Sequence, residues 1–151
     1  MARYEHLSIF RDAYDLAVHL EKIVRNFSRY HKYTLGTDLR NQSRRVLELI
    51  VRANDASAGR AERLLELRQE LESLKVLARL CQDSGAFAST RSYLHVAERI
   101  TNLARQNEGW LKQTQGRGGR RSPPDKAETR TDQPLQLALD GAPRQTEERG
   151  R

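Results

Sequence analysis

From Leu64 to Cys81 apolar residues recur at steps of three, four, three, four and three: Leu64, Leu67, Leu71, Leu74, Ala78 and Cys81. That spacing lays one stripe along one side of a helix, whereas a half-buried strand would alternate with period two. Ile9, Ala13, Leu16, Leu20, Ile23, Phe27 and Tyr30 repeat the pattern upstream, and Tyr93, Val96, Ile100, Leu103, Asn107 and Trp110 repeat it downstream. Between them Leu35, Leu39, Val46, Leu47, Leu49, Ile50 and Ala53 fall on one side of a helix wound at about 100° per residue. No proline precedes Pro123, so nothing forbids helices this long. Four rods of similar length with short turns predict an all-α, up-down-up-down four-helix bundle over residues 1–112.

Local signals place the ends. The first helix is expected over residues 5–30, with His31, Lys32 and Tyr33 as connection and Thr34 as N-cap of the second helix. Gly36 is costly inside a helix, so its presence in that first turn points to a close backbone approach. Ser57, Ala58 and Gly59 form the next turn, and the third helix spans Arg60 to Asp83 with Gly85 as its C′ residue. Ser89 or Thr90 caps the fourth helix. The first helix also carries a second seam, Leu7, Phe10, Tyr14, Ala17 and Val24. The two seams cover about 200°, more than one core requires, which predicts self-association, with a partner protein as the alternative.

The character changes at Gln113. All four prolines lie beyond it among glycines and few large apolar residues, so residues 113–151 are expected to form a disordered tail. Within it, Gly116-Arg117-Gly118-Gly119-Arg120-Arg121 resembles Arg/Gly segments that contact RNA, and makes Arg117, Arg120 and Arg121 candidate contacts. Gln136-Leu137-Ala138-Leu139-Asp140 is a short apolar stretch that loosely resembles a sliding-clamp docking peptide but lacks its terminal aromatic.

The chain carries 27 Lys and Arg against 20 Asp and Glu, a formal charge of +7. That excess favours a polyanion as partner. On the second predicted helix Arg40, Arg44, Arg45 and Arg52 span an arc of about 140° opposite the apolar stripe, interrupted by Glu48 and Asp55. Arg25, Arg29 and Lys32 form another basic group where the first helix ends. The aromatics fall mostly at core-type spacings, so binding is expected to run through phosphates, with weak sequence preference and steep salt dependence.

Other chemistries find little support. The single Cys81 excludes an intrachain disulfide and a cysteine metal cage, and sits on a packing seam. His6, His19, His31 and His95 show no ligand spacing with one another, and no phosphate loop or His-Glu-x-x-His motif occurs. No catalytic, cofactor or metal site is expected. No apolar run approaches the roughly 20 residues of a membrane span, and the N-terminus has no signal-peptide pattern, so a soluble cytoplasmic protein is expected.

Several short motifs in this order carry a resemblance: Tyr33-Thr34-Leu35-Gly36 with Arg40 behind it, Val46-Leu47-Glu48-Leu49, Leu71-Glu72-Ser73-Leu74 with Arg79-Leu80, and Gly109-Trp110-Leu111. Through them residues 4–112 resemble the Avd-type accessory proteins of diversity-generating retroelements, within a wider four-helix group that includes the ribosomal RNA intervening-sequence proteins. The resemblance implies a homopentameric barrel without enzymatic activity. It further implies binding to a reverse transcriptase and its template RNA, with DNA as a further candidate, in support of error-prone cDNA synthesis during mutagenic retrohoming. Two features depart from the family: a longer tail, and Glu108 in front of Gly109-Trp110 where the family has a second glycine. The alternatives are an intervening-sequence-type bundle with no polymerase partner and a protein-only docking module.

Overall fold

The computed structural model describes residues 3–119, all helical among those residues apart from short turns. A 3-10 turn, Arg3–His6, precedes α1 (Ser8–Arg25), the single-turn α2 (Arg29–Lys32), α3 (Leu35–Asp55), α4 (Arg60–Asp83) and α5 (Thr90–Gly119). Cross-helix contacts fix the order and direction of the four long rods. Glu21 reaches Arg44, Gln42 reaches Glu70, Asn107 reaches the Leu64 carbonyl, and Ser8 reaches Gln106. Val24 meets Gly36, Arg60 meets Ala53, Gln82 meets Thr90, and Asp12 meets Asn102. Along each interface rising numbers on one helix meet falling numbers on the other, so neighbours run antiparallel and the bundle is up-down-up-down. α1 and α4 sit across its diagonal, each packed on α3 and α5.

The four predicted seams converge on one core. Leu16, Leu20, Leu39, Ile50, Leu64, Leu67, Leu71, Leu74, Ile100 and Leu103 are fully buried. α4 has the predicted bounds and ends in a Schellman motif: the Gly85 N–H donates to the Gln82 carbonyl at 3.0 Å and the Ala86 N–H to that of Cys81 at 2.9 Å. Gly85 adopts φ +82°, the left-handed conformation this motif needs. At the start of α5 the Ser89 hydroxyl accepts the Ser92 N–H at 3.1 Å, the expected cap. Arg60 secures the other end of α3 by donating to the carbonyls of Ala53, Asn54 and Ala56. Its guanidinium also lies 6.0 Å from the centre of the Trp110 ring, which ties the Gly-Trp motif to this corner.

The boundaries differ from the sequence expectation at several points, beginning with α1, which starts at Ser8 after a separate 3-10 turn rather than at residue 5. The first helix stops at Arg25, because Phe27 turns into the core and packs edge-on against Phe87 at 5.7 Å. The apolar spacing continues to Tyr30, yet α2 carries that ring into solvent. Thr34 is no side-chain cap: its hydroxyl donates backward to the carbonyls of Tyr30 and His31, at 3.0 and 3.3 Å. α5 continues through residues 113–119, where the composition predicts the start of a disordered tail. Extending a helix already nucleated is cheap enough to carry it through glycine, and the first proline stands only at 123. The tail expectation for residues 120–151 lies outside the described residues.

Gly36 has the role its position predicts. A Cβ there would stand 2.6 Å from Val24 Cγ1, 3.1 Å from the His31 carbonyl and 3.3 Å from Phe27 Cδ2. Val24 is fully buried and stiff at χ1, so it has nowhere to go. Gly36→Ala is therefore expected to destabilise the protein by about 1–2 kcal/mol in urea denaturation, overpacking outweighing the helix-propensity gain of up to ~1 kcal/mol. Gly109→Ala, with nothing within 4 Å of its Cβ, is expected to stabilise by about 0.5–1 kcal/mol.

The α1–α5 seam carries several polar contacts. Asp12 accepts from Asn102 at 3.2 Å and from Gln106 at 2.7 Å, and the rings of His19 and His95 meet edge-on at 4.9 Å. A groove of about 450 Å³ runs outside this seam, lined among others by Asp12, Asp15, His95 and Arg99. Partial burial holds the His19 pKa below its ordinary 6.5, with His95, Arg99 and Lys22 adding positive charge nearby. A histidine depressed in the folded state contributes stability above pH 6.5 that is lost as pH falls through its folded pKa. The melting temperature is expected to drop between about pH 7 and 5, and His19→Gln to drop less across the same interval in a thermal melt.

Candidate nucleic-acid interface

α3 presents its arginines because the opposite side is consumed by the core. Leu39, Val46, Leu49, Ile50 and Ala53 are buried, as are Gln42 and Ser43, two polar positions the apolar pattern does not predict. The Gln42 amide donates to the backbone and side chain of Glu70, at 3.0 and 2.6 Å, and its carbonyl accepts from Arg45 at 3.2 Å. The Ser43 hydroxyl donates to the Arg40 carbonyl at 2.9 Å. Both groups are thus satisfied inside the bundle.

The predicted ridge divides into two lines. Arg40 and Arg44 lean toward α1 and share Glu21, at 3.7 and 3.1 Å. Arg44 also donates to Asn41 at 2.6 Å. Arg45 leans toward α4 and sits 3.8 Å from Glu70. Arg52, two turns further along the same line, is exposed. These pairs face solvent enough that each contributes little to stability, roughly 0–1 kcal/mol. A phosphate can therefore replace Glu21 at small cost, whereas Glu70 is also held by the buried Gln42 amide.

Arg25 lies one turn after Glu21 on the same side of α1, which extends the Arg40–Arg44 line toward α2. Arg29 is exposed on α2, and the Lys32 ammonium lies 5.9 Å from the centre of the Tyr33 ring. The structure therefore joins two arginine groups that are separate in sequence along the α1–α3 seam. Arg117 falls in the last turns of α5, and its side chain lies outside the described residues. Arg120, Arg121 and the apolar stretch 136–140 also lie outside them.

Two features lie beyond the reach of sequence spacing. Tyr30 and Tyr33, which read as a core seam and a connection, are 81% and 67% exposed beside the basic group. A bidentate pair joins Arg68 of α4 to Glu108 of α5 with both bonds at 2.8 Å, and these hydrogen bonds raise the Arg68 pKa and lower that of Glu108. The pair gives Glu108 a structural use, joining α5 to α4. Each feature depends on a partner or a bend elsewhere in the chain.

Cys81 is fully buried, and burial, with the Asp38 carboxylate nearby, pushes its pKa up to about 11. It is a packing thiol rather than a nucleophile. Among the described residues no three His, Cys, Asp or Glu side chains come together as a metal ligand set. No helix among them is long and apolar enough to cross a membrane.

A family model described as bAvd-like matches residues 8–114, from the start of α1 into the last turns of α5. No curated protein and no solved structure matches the chain. The family match covers most of the chain and includes every motif that carries the resemblance. With its four antiparallel helices and the Tyr33–Gly36 corner in place, this chain belongs to the bAvd-like family.

Proposed function

We propose that the protein is a non-enzymatic, cytoplasmic accessory subunit of a retroelement reverse transcriptase, and that it binds template RNA, with DNA as the alternative strand, during error-prone cDNA synthesis in mutagenic retrohoming. Membership of the bAvd-like family supports the accessory role. The observation that carries the nucleic-acid part is the α3 ridge, where Arg40, Arg44, Arg45 and Arg52 share one face, interrupted by Glu48 and Asp55, and the first three are held by ion pairs to Glu21 and Glu70. Its arginines lie on a rigid helix, so their spacing is preset for a phosphate backbone.

Self-association, with the pentamer as the expected assembly, is part of the same reading. α1 leaves Tyr14, a member of its second seam, and Val18 exposed one turn apart. α4 leaves Leu65, Val76 and Leu80 exposed within an arc of about 60°. On spacing alone that face of α4 reads as solvated. Because α1 and α4 lie diagonally, the two strips look out from opposite sides of the protomer. Two unlike patches on opposite sides fit a head-to-tail arrangement that closes into a ring, rather than a two-fold dimer.

The experiment is fluorescence anisotropy with labelled RNA, paired with light scattering for the assembled mass. Arg44→Glu, Arg45→Glu and Arg52→Glu together are expected to abolish RNA retention while the mass stays that of the wild-type oligomer. Single reversals should flatten the dependence of log affinity on log salt by about 0.7–0.9 for each phosphate no longer neutralised. Unchanged binding by the triple variant, or a monomeric wild type, would contradict the proposal.

A further inference from the structure

The most exposed large apolar side chains among the described residues are not on the long helix faces but on the connection between α1 and α3. Tyr30 is 81% and Tyr33 67% exposed. The backbone that carries them is well tied. The N–H groups of His31 and Lys32 donate to the Ser28 carbonyl at 3.0 and 2.8 Å, that of Thr34 to the His31 carbonyl at 3.2 Å, and the Thr34 hydroxyl donates to the Tyr30 carbonyl. The rings therefore project from an ordered support. Tyr30 lies edge-on to the His31 ring at 5.0 Å, and Lys32 stands over Tyr33.

The electrostatics of this turn are one-sided. Between Glu21 and Asp38 the chain carries Lys22, Arg25, Arg29 and Lys32 and no carboxylate at all. Phe27 packs on Phe87, which brings residues 84–89 of the α4–α5 connection to this end of the bundle, and they hold no charged side chain. Along Arg29-Tyr30-His31-Lys32-Tyr33 cations and rings interleave, so a bound strand would meet a ring and a charge within each short step. Duplexes offer phosphates but keep their bases stacked inside, and only an unpaired strand can use both.

We propose that this turn docks single-stranded RNA, Tyr30 and Tyr33 stacking on unpaired bases while Arg25, Arg29 and Lys32 hold the adjoining phosphates. The inference rests on the nucleic-acid reading above and sharpens it, giving the α3 ridge the phosphate backbone in general and this turn the choice of unpaired over paired strand. Stacking is tolerant of base identity, so the preference is for strandedness and not for sequence.

The test compares the full chain with Tyr30→Ala/Tyr33→Ala and Tyr30→Phe/Tyr33→Phe, using an unstructured RNA and a blunt hairpin of similar length. The alanine pair is expected to bind the unstructured RNA about tenfold or more weakly and the hairpin unchanged, and the phenylalanine pair to keep both affinities. Unaltered single-strand binding by the alanine pair overturns the proposal, and so does an equal weakening on both probes. A changed oligomer mass would assign the tyrosines to a second copy, and tyrosine-dependent sedimentation with phosphatidylglycerol vesicles would assign them to a lipid surface; either overturns it too. If the alanine pair binds normally while the triple arginine reversal does not, only this inference fails. A wild type that binds neither RNA removes both readings.

Discussion

Where α1 hands over to α3, the chain reverses direction with a helix start pressed directly on a buried valine. The missing side chain at Gly36 makes that approach feasible, since Val24, Phe27 and the His31 carbonyl occupy the space a Cβ would need. Much else follows from it. With α3 this close, Phe27 turns inward onto Phe87, α1 terminates at Arg25, and the single turn of α2 bridges the gap. The same closeness brings Glu21 within reach of both Arg40 and Arg44. It also leaves Tyr30 and Tyr33 nowhere to go but outward. One small residue thus connects the packing of the bundle end to the surface chemistry beside it.

Polar groups inside the bundle act differently from the leucines. Interchangeable apolar stripes drive helices together but tolerate sliding, because burial is roughly proportional to area and indifferent to direction. Asn107 is fully buried, and its amide donates to the Leu64 carbonyl at 3.1 Å. Gln42 is held by Glu70 in the same way. A shift of either helix by one turn would leave these groups buried and unpaired, at a cost of about 1–3 kcal/mol each. They define the register of α4 against α5 and of α3 against α4. Arg60 adds a lock at the α3 end by donating to the carbonyls of Ala53, Asn54 and Ala56.

Charge on the surface is paired in two different ways. Carboxylates hold Arg40, Arg44 and Arg45 while the protein is free, which limits repulsion along α3. Because these pairs face solvent, their attraction is weak and screened by salt, so a denser polyanion can displace them. Arg68 and Glu108 differ: their two parallel hydrogen bonds join α4 to α5 and satisfy both partners, a geometry suited to holding helices and poorly suited to release.

The four helices, their order, most of their ends and the identity of the core were legible in the sequence, because a 3,4 repeat of apolar residues without proline admits one geometry. The bounds of α4 and the roles of Gly36, Gly85 and Ser89 were legible too, since each depends on backbone rules acting over a few residues. The same periodicity misled at Phe27–Tyr30, where a local repeat continues past the point at which tertiary packing bends the chain. Only the folded structure divided the α3 arginines between Glu21 and Glu70, paired His19 with His95, buried Gln42, and exposed Tyr30 and Tyr33. Sequence spacing determines which face a residue occupies on its own helix; what that face meets is decided by the helices that pack beside it.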